Sequence, residues 1–128
     1  MTRKILITAI KWNADYENAV HKGLAAAKKK YKDGLLITVG YTIIGVKIAS
    51  IAAGENITVQ MFAPDLNIQK QAIDVVSGIT VTSTSKPEYM RQMLMSVDGV
   101  MALDPGDPIV LAAKLHDKPV WFPLGNAT

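Results

Sequence analysis

The chain contains no cysteine, which excludes disulfides, iron–sulfur clusters and thiolate zinc sites. Its only histidines are His21 and His116, too few for a nitrogen-ligated transition metal, so no metal and no resident cofactor are expected. No apolar run reaches about 18 residues, so no transmembrane helix is predicted. Residues Met1 to Lys4 lead straight into a strand-like segment without the apolar stretch of a signal peptide, and the cytoplasm is the expected location. Aromatic residues are scarce at 6% and charged residues make up 20%, against 49% hydrophobic. That balance excludes a disordered chain. It also leaves few charges to cover a small surface. A parallel sheet covered on both faces, or a homo-oligomer interface, would absorb the apolar surplus. At 128 residues the expectation is one domain over positions 1–128.

The net charge is +3, and most of the excess comes from Lys28, Lys29, Lys30 and Lys32. Cations in such a run suit the C-terminal end of a helix, where they meet the negative end of the helix dipole. No aromatic residues interleave with the lysines as single-strand binding would favour, so nucleic acid is not expected as a partner.

Apolar, β-branched segments alternate with stretches of helical periodicity along the whole chain. Strands are predicted over 3–10, 35–39, 57–62, 79–84, 99–103 and 119–122. Between them lie helices. The first is capped by Asp15 and runs to Tyr31, where Asp33-Gly34 ends it. The second covers 46–53 and is closed by Gly54. The third covers 66–77, stopped by Gly78. The fourth starts at Pro87, with Met90, Met93, Leu94 and Val97 inward. The fifth covers 109–116, with Asp107 as cap and Pro108 at its first position. Regular strand–helix alternation predicts an α/β, Rossmann-like three-layer domain with a mostly parallel sheet of about six strands.

Ligands of open parallel sheets bind beyond the carboxyl ends of the strands. That rule selects four loops. Gly40 to Gly45 combines two glycines with Tyr41 and Thr42, and Lys47 follows. The glycines either allow close backbone approach to an anion at a helix start or serve as a turn glycine and a packing glycine. Asp104, Gly106 and Asp107 offer carboxylates to ribose hydroxyls, or act as ordinary turn and cap residues. In the first loop, which follows Thr8, Lys11 would add charge, and Trp12 either stacks on a ligand or anchors the loop. Asp65 ends the loop after the third strand. Arg91 would clamp a phosphate or remain a solvated helix charge. Trp121 is expected in the core or an interface.

The loops in their order resemble the SLOG superfamily, the Rossmann-like group that includes LOG phosphoribohydrolases, DprA/Smf proteins and YspA-like proteins. The YspA-like pattern is nearest, over Ile5 to Trp12, Leu36 to Ala49, Ile57 to Asp65, Arg91 to Leu94, Val97 to Leu103, Asp104 to Gly106, Ala112 to Lys114 and Lys118 to Val120. The resemblance implies a site for a nucleotide or nucleotide-derived signal, with Gly40, Gly45, Asp65 and Gly106 matching positions of the pattern. LOG enzymes carry a catalytic glutamate after the final glycine turn, whereas no glutamate occurs here after Glu88. The reading is therefore a domain that binds a nucleotide-derived small molecule, to sense or sequester it, with no catalytic residue. The alternative is an N-glycosidic hydrolase or transferase using Glu55, Asp65, Asp104 or Asp107. A DNA-associated protein of DprA type ranks last.

Overall fold

A computed structural model describes residues 2–125. Six strands form one sheet: β1 (Arg3–Thr8), β2 (Leu35–Val39), β3 (Thr58–Ala63), β4 (Thr80–Ser83), β5 (Gly99–Ala102) and β6 (Val120–Trp121). The order across the sheet is β4-β3-β2-β1-β5-β6. Every neighbouring pair is parallel, so the expected mostly parallel sheet is wholly parallel. Five helices connect the strands: α1 (Ala14–Tyr31), α2 (Ile43–Gly54), α3 (Leu66–Val75), α4 (Tyr89–Met95) and α5 (Pro108–Leu115). This is a Rossmann-like three-layer α/β fold. Among the described residues no helix is long and apolar enough to cross a membrane.

The two faces follow from strand alternation. On β1, Ile5 and Ile7 enter a core with Val20 and Leu24 of α1, Ile48 of α2 and Ala72 of α3. Leu6, between them, points the other way, into a smaller core with Met93 and Leu94 of α4 and Ala113 of α5. Right-handed crossovers explain the partition. The chain steps outward from β1 to β4, which puts α1, α2 and α3 on one face. It then crosses back to β5, which puts α4 and α5 on the other. Each fully buried isoleucine or leucine contributes about 2 kcal/mol of transfer free energy before conformational entropy is counted.

Several boundaries differ from the sequence reading, each for a local reason. Asn13, not Asp15, caps α1: its extended backbone lets the side-chain oxygen accept from the Tyr16 amide at 3.0 Å. Asp15 sits in the first turn, where a negative charge meets the helix dipole. Helix α2 starts at Ile43 rather than Val46, because the Thr42 hydroxyl accepts from the Gly45 amide at 3.1 Å and closes a turn earlier. Gly45 is thus inside the helix. Helix α4 starts at Tyr89, two residues after Pro87. Asp107 does cap α5, with Pro108 at its first position, as expected. Lys28, Lys29 and Lys30 occupy the last turn of α1. Met93 and Met101 are buried, whereas Met95 is 60% exposed.

Candidate functional site

The chain leaves β1 for one face of the sheet and β5 for the other, so a crevice opens where these neighbouring strands end. A cavity of about 250 Å³ occupies the carboxyl end of the sheet here. Its floor is the end of β1 (Ile7, Thr8) and Gly40. One wall is the start of α2, with Thr42, Ile44 and Gly45. Another is the start of α5, with Asp107, Pro108 and Ile109. Tyr41, Tyr89 and Met90, with Ala9, Ile10 and Ile48, complete it. Two helix N-termini from opposite faces therefore meet at one cavity. At α5 Pro108 has no N–H and Asp107 holds the Ile109 amide, and at α2 Thr42 holds the Gly45 amide, which leaves the Ile43 and Ile44 amides as the first-turn donors for an anion.

Two contacts fix the shape of the α2 side. A Cβ on Gly45 would coincide with the Gly40 carbonyl oxygen and lie 2.8 Å from the carbonyl carbon. A Cβ on Gly40 would stand 2.6 Å from the Tyr89 hydroxyl. Gly45 is thus required by the close approach of the Gly40 backbone, whereas a side chain at Gly40 would displace the end of Tyr89. The Tyr41 and Tyr89 rings meet edge to face, with centroids 4.8 Å apart.

The α5 side is held by two buried carboxylates. Asp107, 4% exposed, accepts from the Thr8 hydroxyl at 2.8 Å with one oxygen. Its other oxygen accepts from the Ile109 amide at 2.9 Å. Asp104, 5% exposed, accepts from the Ile10 amide at 2.8 Å and, through its second oxygen, from the Tyr16 hydroxyl. Each residue uses one oxygen to fasten the β5–α5 turn to the end of β1 or the loop after it; the other oxygen caps α5 in Asp107 and reaches Tyr16 of α1 in Asp104. That is the geometry of a clamp between loops, and Asp104 does not line the cavity.

Of the residues singled out from sequence, Thr8, Gly40, Tyr41, Thr42, Gly45 and Asp107 come together around the cavity. The others lie elsewhere. Trp12 packs against the α1–α3 core and anchors its loop. The Lys11 ammonium lies over the Tyr16 ring, 5.4 Å from the centroid. Lys47 is exposed on α2 and Gly106 is exposed in its turn. Asp65 caps α3, accepting from the Asn67 amide at 2.7 Å. Arg91 is exposed and pairs with Glu88 at 2.6 Å. Tyr89, Met90 and Ile109 line the cavity without having been singled out. Their position depends on α4 and α5 lying on the opposite face from α2, and only strand order reveals that.

The fold is shared with a known structure. The chain is similar to the molybdenum cofactor carrier protein MCP from Chlamydomonas reinhardtii, with a TM-score of 0.60 and 19% sequence identity over 94% of this chain and 75% of that one. At that identity the likeness is one of fold. No family model matches the chain, and no curated protein matches it.

Two tyrosines near the cavity, Tyr16 and Tyr89, are held neutral to high pH. Burial, then the hydrogen bond to Asp104 and its negative charge, push the Tyr16 phenol up to about 12. Burial is also the largest cause at Tyr89, likewise pushed up to about 12; a backbone hydrogen bond from Tyr41 opposes it, and Tyr41 and Asp107 reinforce it. A phenol whose folded value exceeds its unfolded value of about 10 binds its proton more tightly in the native state. Its contribution is fully present below about pH 10 and is lost as pH rises through the folded value of about 12. Stability is therefore expected to fall across that window. Urea midpoints from pH 9 to 12 check this: Tyr16→Phe and Tyr89→Phe should each flatten the fall. An unchanged slope in both variants would remove the two phenols as its cause.

Proposed function

We propose that this chain binds a small, nucleotide-derived anion in the cavity between the starts of α2 and α5 and releases it chemically unchanged, so that it senses or sequesters that ligand. The observation that carries the reading is the cavity at the carboxyl end of the parallel sheet, which opens against the start of α2, where Thr42, Ile44 and Gly45 line it. The SLOG resemblance of the same loops supports the ligand class. A neighbour in fold whose structure is described as that of a cofactor carrier supports binding without turnover.

The carboxylates support the same view. Glycosidic-bond cleavage needs a carboxylate free to attack or stabilise a cationic sugar and a group to help the base leave. Asp107 is the one carboxylate lining the cavity among the described residues, and both its oxygens are engaged. No lysine or arginine lines the cavity. The anion is thus held by amides and dipoles, and Lys11→Ala or Lys47→Ala is expected to change affinity by less than about threefold.

The test is calorimetry against nucleotides, cyclic nucleotides and ADP-ribose derivatives, with mass spectrometry of the ligand recovered afterwards. Saturable binding of an intact ligand is the expected result. A released base that disappears in Asp107→Asn would replace the binder reading with a hydrolase. Failure of every member of the panel to bind would remove the nucleotide class.

A homo-oligomer belongs to the same proposal. Leu111 and Leu115, one turn apart on α5, are 65% and 77% exposed, which a solvated helix face does not favour. Light scattering at micromolar concentration should give at least a dimer, and Leu115→Lys should shift it toward monomer. A monomer at all concentrations would leave these leucines solvated.

A further inference from the structure

The sheet face that carries α1 is not fully covered at its β6 edge. Trp121 lies opposite Met101 in register, and Met101 belongs to the core beneath α1, so the indole is on that same face. Beyond α1 no helix covers it among the described residues, and Trp121 is 37% exposed. Between the indole and the last turns of α1 lies a second cavity of about 240 Å³, lined by Gly23, Ala26, Ala27, Lys30, Tyr31 and Trp121. It shares no residue with the cavity between α2 and α5.

Three features select an occupant. The floor carries no side chain larger than a methyl group, so it is shallow and apolar. The indole lies beside Gly99, where an added Cβ would stand 3.5 Å from indole Cζ3, and it offers one flat wall. The rim is positive. The Lys30 ammonium lies 5.4 Å from the Tyr31 ring centroid and the Arg3 guanidinium 6.0 Å from it. Neither cation pairs with a carboxylate among the described residues, and no carboxylate lines the cavity. An apolar slot with a flat wall and cations that have no carboxylate partner complements a ring that carries a negative charge. The volume lies below the range of about 300–1,000 Å³ for drug-sized sites, which limits the ring system to one or two rings.

We propose that this is a second ligand site, for a free planar aromatic anion of one or two rings. Its ring lies against Trp121 on the Ala26 and Ala27 floor, and its carboxylate, sulfonate or phosphate meets Lys30.

The experiment uses 2-naphthoate and its neutral analogue 2-naphthamide as probes. The background is Trp12→Phe, which leaves Trp121 as the sole tryptophan. The indole N–H resonance of Trp121 is followed by NMR. A saturable shift with 2-naphthoate is expected at or below about 1 mM, and the amide should bind about fivefold more weakly. Ala26→Leu fills the floor from an exposed position with a good helix former, so the fold should persist while the shift is lost. Lys30→Met should bring the acid down to the affinity of the amide. The proposal is overturned by no saturable shift, by equal binding of acid and amide, or by binding that survives Ala26→Leu. It is overturned equally if Trp121 is covered by a second copy, read as a dimer that Ala26→Leu dissociates, or if a single-stranded oligonucleotide binds there more tightly than 2-naphthoate.

Discussion

Replacing Gly45 by alanine is expected to weaken ligand binding by more than about tenfold and to lower stability by up to about 2 kcal/mol, despite the higher helix propensity of alanine. The new methyl group would coincide with the Gly40 carbonyl oxygen. Both partners are backbone, so neither can rotate aside as a flexible side chain would. Either α2 moves off the sheet or the Gly40 peptide turns, and either movement distorts the wall of the cavity. Overpacking of this kind costs about 1–3 kcal/mol, from which the propensity gain of about 1 kcal/mol is to be subtracted. Gly54→Ala is the control. It lies in the same helix, and an added Cβ there meets nothing within 4 Å, so it should be neutral or slightly stabilising with affinity intact. Urea midpoints and calorimetry for the two variants decide the matter. A Gly45→Ala protein as stable and as tightly binding as the parent would mean that the close seat does not shape the site.

The second large effect concerns Asp104, whose replacement by alanine should cost about 3 kcal/mol in urea unfolding. The carboxylate joins three segments: the turn after β5, the Ile10 amide just beyond β1, and the Tyr16 hydroxyl on α1. Its loss leaves a buried hydroxyl and a partly buried amide without partners, each worth about 1–3 kcal/mol when unsatisfied. Asp104→Asn keeps an acceptor and should lose roughly half as much. Tyr16→Phe removes the hydroxyl together with its need for a partner, so the double variant with Asp104→Ala should be less destabilised than the sum of the singles. Strict additivity would show that the carboxylate and the phenol do not act as a unit. Asp104→Asn should also bring the Tyr16 phenol down from about 12, because the carboxylate charge is one cause of the rise.

The α/β class was legible because β1, β2, β3 and β5 are apolar runs of strand length and most helices show one inward face. The fifth helix was read almost to its ends, since Asp107-Pro108 combines a cap with a residue that suits only a first turn. The start of α2 was misread. Ile43 and Ile44 continue an apolar run with no helical period, and the capping role of Thr42 emerges only once the turn exists. Sequence left Gly45 either as a ligand contact or as a packing glycine; its tight contact with the Gly40 carbonyl gives it the packing role. Strand order was not legible, because nothing local to β4 states that the next strand pairs with β1. Hence Tyr89 and Met90 could not be placed beside Gly40. The two aspartates were noticed as candidate ligand contacts, but which oxygen meets which donor is set by partners that sequence leaves far away.

That distance bears on how the protein is made. Ile10 and Asp104, joined by one hydrogen bond, are 94 residues apart. As the nascent chain emerges, β1 can pair with β2 early, yet its other edge has no partner until β5 is synthesised. Throughout that interval Leu6 lacks the α4–α5 cover it has in the finished protein, and an unpaired parallel edge is an open template for another chain. The loop after β1 waits equally long for the carboxylate that fastens it. Premature termination or slow translation between β4 and β5 would thus release a species whose central strand is its most exposed one, a natural substrate for chaperones that bind extended apolar segments.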